Sequence, residues 1–365
     1  MNINYYLNFK EEKRLSMDEY AEELITFQKK KFDNYNIQFF RPKLNLFNKL
    51  IPNIRLKMRY ARYISYPRQI KNLSKFDISH ICDQQYGHLY KYINSKIKII
   101  TVNDLVPIVL ENKTKHNPRL LKFSLNNLKF FDHVIAISEA TKRDILKYTD
   151  CPENKITVLM RAVNSSLFNE STINQEEVCN FYKIPFNKIK ILIEGNVFYK
   201  NNDTAFKTLR ELLKINNEIV FIKIGGKSDL KNFADLKDKV FDLPFISKNK
   251  LHEIYKICKV FFVPTIYTGG SLPIIESMKC GTPIVCSNTN SIMEVVKDTA
   301  LISDPYDIEN FVKNILEIIN NEQIYIDKKK SGIERSNFFQ IENFHNSLIN
   351  IYREKLDNLK SQNVN

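Results

Sequence analysis

Short apolar runs alternate with amphipathic segments along most of this chain, and that alternation limits the fold more than any other feature. Runs such as IKILIE (189–194), IVFIKI (219–224) and VFFVP (260–264) are rich in β-branched and aromatic residues and too short for buried helices. Amphipathic segments alternate with such runs, a helical pattern following 189–194 and 260–264 within a few residues. Strands spaced by helices in this way build parallel sheets of the α/β class. In the first half the pattern predicts strands at 37–41, 78–82, 97–102, 133–137 and 155–160. It also predicts a helix opened by a capping box at Ser16–Glu19 and running to about Lys30, and a helix capped by Ser138 that runs to Tyr148. The second half adds strands at 189–194, 219–224, 239–245, 260–264 and 284–286. Its helices begin near Asp203, after Ser247, at Leu272, at a second capping box (Ser291–Glu294) and at Asp307.

The passage from Val260 to Cys286 is the most informative part. A strand ends in a loop holding Gly269 and Gly270, the loop enters a helix (Leu272–Lys279), and Gly281 stops that helix. Unpaired amides in a first helical turn, with the helix dipole behind them, favour an anion. Glu276 sits one turn further in, where an acceptor-only carboxylate suits a ligand with hydroxyls at its other end. Ligands of open α/β sheets lie beyond the carboxyl ends of the strands. Gly195, Gly225, Gly226, Gly269 and Gly270 are therefore expected to rim one pocket.

With 365 residues the chain is long enough for two domains, and its 43% hydrophobic content is that of a globular protein. No run of eighteen apolar residues occurs, and the N-terminus lacks the pattern of a secretory signal. Six cysteines without CxxC spacing read as buried thiols of a reducing, cytoplasmic compartment. The net charge of +14 is unevenly spread: residues 34–76 hold ten Lys or Arg and no Asp or Glu, with Phe and Tyr interleaved. Such a stretch suits an anionic membrane surface, or is a solvated basic face with its aromatics buried in the domain. No stacking module or zinc knuckle accompanies it, so nucleic acid is not an expected partner.

No Walker A, GxGxxG, HExxH or GxSxG motif occurs, which argues against P-loop nucleotide hydrolysis, ordinary dehydrogenase work and serine hydrolysis. No Asp-x-Asp pair is present, so metal catalysis is not indicated.

Five segments, in order, resemble family-4 glycosyltransferases: TVNDLVP (101–107), VIAISEATKRDIL (134–146), KITVLMRAVNSSLF (155–168), EGNVFYKN (194–201) and YTGGSLPIIESMKCGTPIVCSNTNSIMEVV (267–296). The resemblance implies a GT-B fold, two Rossmann-like domains facing across a cleft. Residues 1–175 would bind the acceptor and 176–335 the nucleotide-sugar, with a helix over 336–365 crossing back to the N-terminal domain. It implies a hexose-type transfer from a nucleotide-diphosphate sugar, such as a UDP- or GDP-sugar, to a hydroxyl of a glycan or lipid-linked glycan. Anomeric configuration would be retained, with neither cofactor nor metal. The work would belong to polysaccharide biosynthesis, in the cytoplasm or at the inner face of the membrane.

Carried onto this chain, Lys200 would contact the diphosphate, with amides of Gly270, Ser271 and Leu272 beside it, and Glu276 would accept from the ribose hydroxyls. Gly195, Asn196, Gly225, Thr268, Gly269, Pro273, Ser138 and Arg161 complete the implied substrate contacts, Arg161 being otherwise a strand-end cation. Thr268 stands where the family has a Glu, and Asn103, on the acceptor side, where it has a His. Asn103 can hydrogen-bond a sugar hydroxyl but cannot shuttle a proton at neutral pH. No side-chain base is evident, which leaves a donor phosphate oxygen to take the acceptor's proton. Thr268 and Asn103 equally suit a catalytically impaired relative that binds nucleotide-sugar or glycan.

Overall fold

A computed structural model describes residues 1–113 and 118–362. The chain divides into two compact units, one of residues 1–160 with 342–365 and the other of residues 161–341. The division falls ahead of the expected boundary between 175 and 176. The terminal helix, Ile341–Gln362, packs within the first unit, where Tyr352 reaches Tyr5 and His80. Residues 363–365, the end of the helix expected over 336–365, lie outside the described residues.

The first unit holds strands β1 (Asn2–Tyr6), β2 (Asn36–Phe40), β3 (Phe76–Ile81), β4 (Ser95–Val102), β5 (His133–Ala136) and β6 (Ile156–Val158). They pair in parallel in the order β2-β1-β3-β4-β5-β6. β1 is missing from the sequence pattern because NINYY carries two asparagines and looks polar. Its Asn4 is nevertheless buried between β2 and β3.

The second unit holds β7 (Ile189–Glu194), β8 (Ile219–Ile224), β9 (Val240–Leu243), β10 (Val260–Val263), β11 (Ile284–Ser287) and β12 (Leu301–Ser303), all parallel, in the order β12-β11-β10-β7-β8-β9. β7 is the first strand of this unit, and the chain winds outward from it to β8 and β9, then returns to β10 on its other side. Strand order therefore reverses between β7 and β10, the point where open α/β sheets place their ligands. Strands covered by helices on both faces must be apolar on both, which is why 189–194 and 260–263 read as continuous hydrophobic runs. Ile191, Phe221, Phe262 and Val285 form the core with Phe311 and Ile315 of the Ile308–Asn320 helix.

Two expected helix starts are corrected. The first helix spans Leu15–Lys31 with Arg14 at its N-cap and no side-chain cap bond, so Ser16 lies inside it. The Asn290–Val296 helix is entered from Thr289, and the Ser291 hydroxyl donates instead to the carbonyl of Thr268. Ser138 and Asp307 do cap their helices, accepting from Thr141 N–H at 3.0 Å and Asn310 N–H at 3.0 Å. Ser247 occupies its expected N-cap position without a side-chain bond. Gly281, with φ of +78°, ends the Leu272–Lys279 helix as expected.

Candidate functional site

At the carboxyl end of β7 the chain turns through Gly195, whose φ of +77° lies in the left-handed region that favours glycine. The turn is crowded: a Cβ on Gly195 would come within 2.9 Å of Lys200 Cγ, and one on Gly225 within 3.3 Å of Gly195 Cα. Gly195 and Gly225 thus touch, joined further by Gly195 N–H donating to Ile224 O at 2.8 Å. Asn196 crosses to the same place, its Nδ2 donating to Gly225 O at 2.6 Å. Under Gly226 lies Lys223, fully buried in β8, with Nζ donating to the Gly226 carbonyl at 2.8 Å and burial pushing its pKa down.

Lys200 closes the short turn Phe198–Lys200 and pairs with Glu194, the last residue of β7. Both side chains keep about a fifth of their surface, 18% and 19%, so the pair sits at the wall of the site and not in the core. The loop after β10 is tied directly to this turn. Ile266 N–H donates to Tyr199 O at 2.9 Å, and Asn201, left-handed at φ of +58°, donates from Nδ2 to Pro264 O at 3.0 Å and Pro305 O at 2.7 Å.

The same loop carries Thr268, Gly269 and Gly270 to the start of the Leu272–Lys279 helix. Thr268 Oγ1 donates to Gly270 O at 2.8 Å. Ser271, at the N-cap, makes no side-chain cap bond, and Pro273 at the second helical position has no N–H to satisfy. Ile274 and Ile275 both donate to Ser271 O, so the first-turn amides that remain to face a ligand are those of Ser271 and Leu272. Glu276 is 3% exposed and accepts from Tyr255 Oη at 3.0 Å. Burial, with the charges of Glu276 and Glu194 behind it, drives the Tyr255 phenol well above its ordinary value, so it remains a hydrogen-bond donor.

In the first unit, Asn103 follows β4 and is buried. Its Nδ2 donates to Cys82 O at 3.2 Å and its N–H to Gln84 Oε1 at 3.1 Å, while Oδ1 has no hydrogen-bond partner. Asp83, at the end of β3, pairs with Arg14 and accepts from Asn8 Nδ2 at 2.7 Å. Burial raises the neighbouring Asp104 carboxyl against the pull of Arg14. The carboxyl ends of β1, β3 and β4 thereby assemble a polar cluster around one orphaned acceptor. Arg161 is half-buried at the start of the second unit, and Ser138 is wholly buried at its helix cap.

Sequence reasoning missed Glu194, Tyr255, Arg14 and Asp83. Glu194 left a signal, a charge closing an otherwise apolar strand beside Gly195. Tyr255 left none, because its contact with Glu276 joins two helices. His80 and His88 are structural. His80, between Tyr352 and Thr101, is pushed down to about 3 by burial, and His88, between Ser124 and the Arg62 carbonyl, to about 4. All six cysteines are free and buried. Among the described residues no His/Cys/Asp/Glu group is placed to hold a metal, and no helix is long and apolar enough to cross a membrane.

Residues 174–335 match the model of the glycosyl transferases group 1 family, covering nearly all of the unit that carries Lys200 and Glu276. That unit therefore resembles the group 1 glycosyl transferases. It is 24% identical over 266 residues to O-antigen chain mannosyltransferase B of Escherichia coli, covering 70% of this chain and 68% of the relative. It is 22% identical over 252 residues to the serotype-specific mannosyltransferase WbdA of Escherichia coli, covering 65% of this chain but only 31% of that larger protein. Among solved structures, Anabaena Alr3699/HepE in complex with UDP and glucose aligns with a TM-score of 0.74 at 12% identity, covering 97% of this chain and all of the other. At that identity the likeness shows the fold, which is GT-B with one Rossmann-like sheet in each unit.

Proposed function

We propose that this chain is a group 1 glycosyltransferase of the retaining, family-4 kind, a hexosyltransferase that moves a sugar from a nucleotide-diphosphate donor to a hydroxyl of a glycan or lipid-linked glycan. One observation carries the reading: at the strand-order reversal of the second unit, a lysine turn is hydrogen-bonded, Ile266 N–H to Tyr199 O, to the loop that runs into an uncapped helix start. Two mannosyltransferase relatives favour mannose as the first sugar to try, and the complex of HepE with UDP and glucose favours a nucleoside-diphosphate leaving group.

In this reading Lys200 and the Ser271 and Leu272 amides receive the diphosphate, where negative charge grows as the glycosidic bond breaks. Glu276, oriented by Tyr255, accepts from the ribose hydroxyls. Gly195, Asn196 and Gly225 shape the turn, and Thr268, Gly269 and Pro273 the opposing loop. The first unit takes the acceptor, whose hydroxyl donates to Asn103 Oδ1. That hydroxyl gives its proton to a donor phosphate oxygen, Asp83 being held by Arg14 and Asn8. Neither metal nor cofactor is required. The expected setting is polysaccharide biosynthesis in the cytoplasm, at the inner face of an anionic membrane reached through residues 34–76.

A second reading, binding without turnover, is favoured by Thr268, which brings no charge and whose hydroxyl proton is already given to Gly270 O. Released nucleotide separates the two. Lys200→Ala should cut turnover roughly 100-fold or more while the far-UV spectrum and melting stay unchanged. Full activity in that variant refutes the assignment.

A further inference from the structure

The basic stretch 34–76 does not behave as one surface. Arg41 turns inward to Asp18 and Glu22, and Arg62 to Glu12. Tyr66 is buried with its hydroxyl on Leu7 O at 2.7 Å. Of the stretch's exposed large apolar side chains, Leu46, Phe47, Leu50, Ile54 and Leu56 lie in two short helices, Leu46–Leu50 and Ile54–Tyr60. These pack on each other through Phe47 and Tyr60, with ring centroids 4.9 Å apart, and Met58 faces the core. Their other apolar residues point away from it: Leu46 is 80% exposed, Leu50 78% and Ile54 60%. Leu46 and Leu50, four residues apart, share one face. Beside them a hollow of about 340 Å³ is lined by Lys43, Asn45, Ser65, Arg68 and Gln69.

We infer that these two helices seat the protein on an anionic phospholipid bilayer, Leu46, Leu50 and Ile54 entering the acyl boundary while Lys43, Arg55 and Arg68 meet the phosphates. Charge selects this occupant. Among the described residues no carboxylate pairs with Lys43, Arg55 or Arg68, and residues 34–76 contain no acid of their own. A second copy docking through the same face would set these cations against their equals, since a two-fold contact repeats one patch on both sides. An anionic bilayer offers an apolar interior beneath a layer of phosphates, the arrangement that exposed leucines flanked by cations match.

The inference rests on the membrane reading of 34–76 and gives it a place in the fold; it does not depend on the transferase chemistry. The test is co-sedimentation of the full chain with phosphatidylcholine vesicles, with and without phosphatidylglycerol. Binding should require the anionic lipid and weaken as salt rises. The double variant Leu46→Glu/Leu50→Glu should lower partitioning roughly tenfold or more, and Lys43→Glu/Arg68→Glu should abolish the preference for anionic lipid. These side chains lie outside the core, so melting should not change. A wild type that ignores anionic vesicles overturns the membrane reading entirely. A wild type that binds, with Leu46→Glu/Leu50→Glu binding equally well, overturns this placement alone. A wild-type dimer that Leu50→Glu turns into monomers, without vesicle binding, makes the face a protein interface and ends the proposal.

Discussion

The Glu194–Lys200 pair makes a prediction whose sign is not obvious. If Lys200 is the cation that meets the donor's diphosphate, Glu194 competes for it and places a like charge beside the ligand. A phosphate bound to the Lys200 ammonium would lie about 5 Å from the Glu194 carboxylate. Both side chains are about one-fifth exposed, so an effective dielectric of about 40 is a fair value and the repulsion comes to about 1.5 kcal/mol per unit charge. Glu194→Gln should therefore tighten binding of UDP or GDP about tenfold, whereas Lys200→Ala should weaken it about 30-fold or more. In the double variant the gain from Glu194→Gln should shrink, because no cation remains to be released. Neither change should cost more than about 1 kcal/mol of stability, since a partly exposed ion pair contributes little. Isothermal titration of the four proteins closes the cycle. Unchanged or weaker nucleotide binding by Glu194→Gln would falsify the placement of the diphosphate at Lys200.

Two further outcomes follow from buried groups. Tyr255→Phe removes the phenol that donates to Glu276 at 3.0 Å in a dry setting, so the protein should lose about 1–3 kcal/mol of stability and bind nucleotide less tightly; an unchanged melting curve would contradict the role given to this bond. Acidification should destabilise the first unit. Burial holds His80 and His345 down to about 3, and His88 and His133 to about 4. The unfolded chain takes up protons at these rings below about pH 6.5, whereas the folded chain does not until near pH 4–3. Stability is full above about pH 6.5 and falls as pH falls, by at most about 2 kcal/mol per ring at pH 5. A melting temperature equal at pH 7.5 and pH 5 would contradict this burial.

Most of the candidate site on the second unit was legible because its parts are local. Gly195, Lys200 and the Leu272 helix start each sit within a few residues of the apolar run that positions them, and β7 and β8 appear with the bounds read from sequence. The two capping boxes failed for a related reason. Ser16 and Ser291 have the right spacing, but helix starts also depend on what else the serine can bond, and Ser291 has Thr268 within reach. In the basic stretch, spacing cannot say that Arg41 and Arg62 turn inward to carboxylates of the first helices.

What the amino-acid order determined by itself is the periodicity: short apolar strands, amphipathic helices and glycines at their junctions, which confine the chain to parallel α/β sheets. What only tertiary structure decided is adjacency. β7 and β10 are separated by two further strands along the chain yet lie side by side, and this brings the Lys200 turn to the loop ahead of the Leu272 helix. Glu194 on Lys200, Tyr255 on Glu276 and the unpaired Asn103 oxygen belong to the same class. Hydrogen bonds and charge act over a few ångströms of space, and no pattern along the sequence measures that distance.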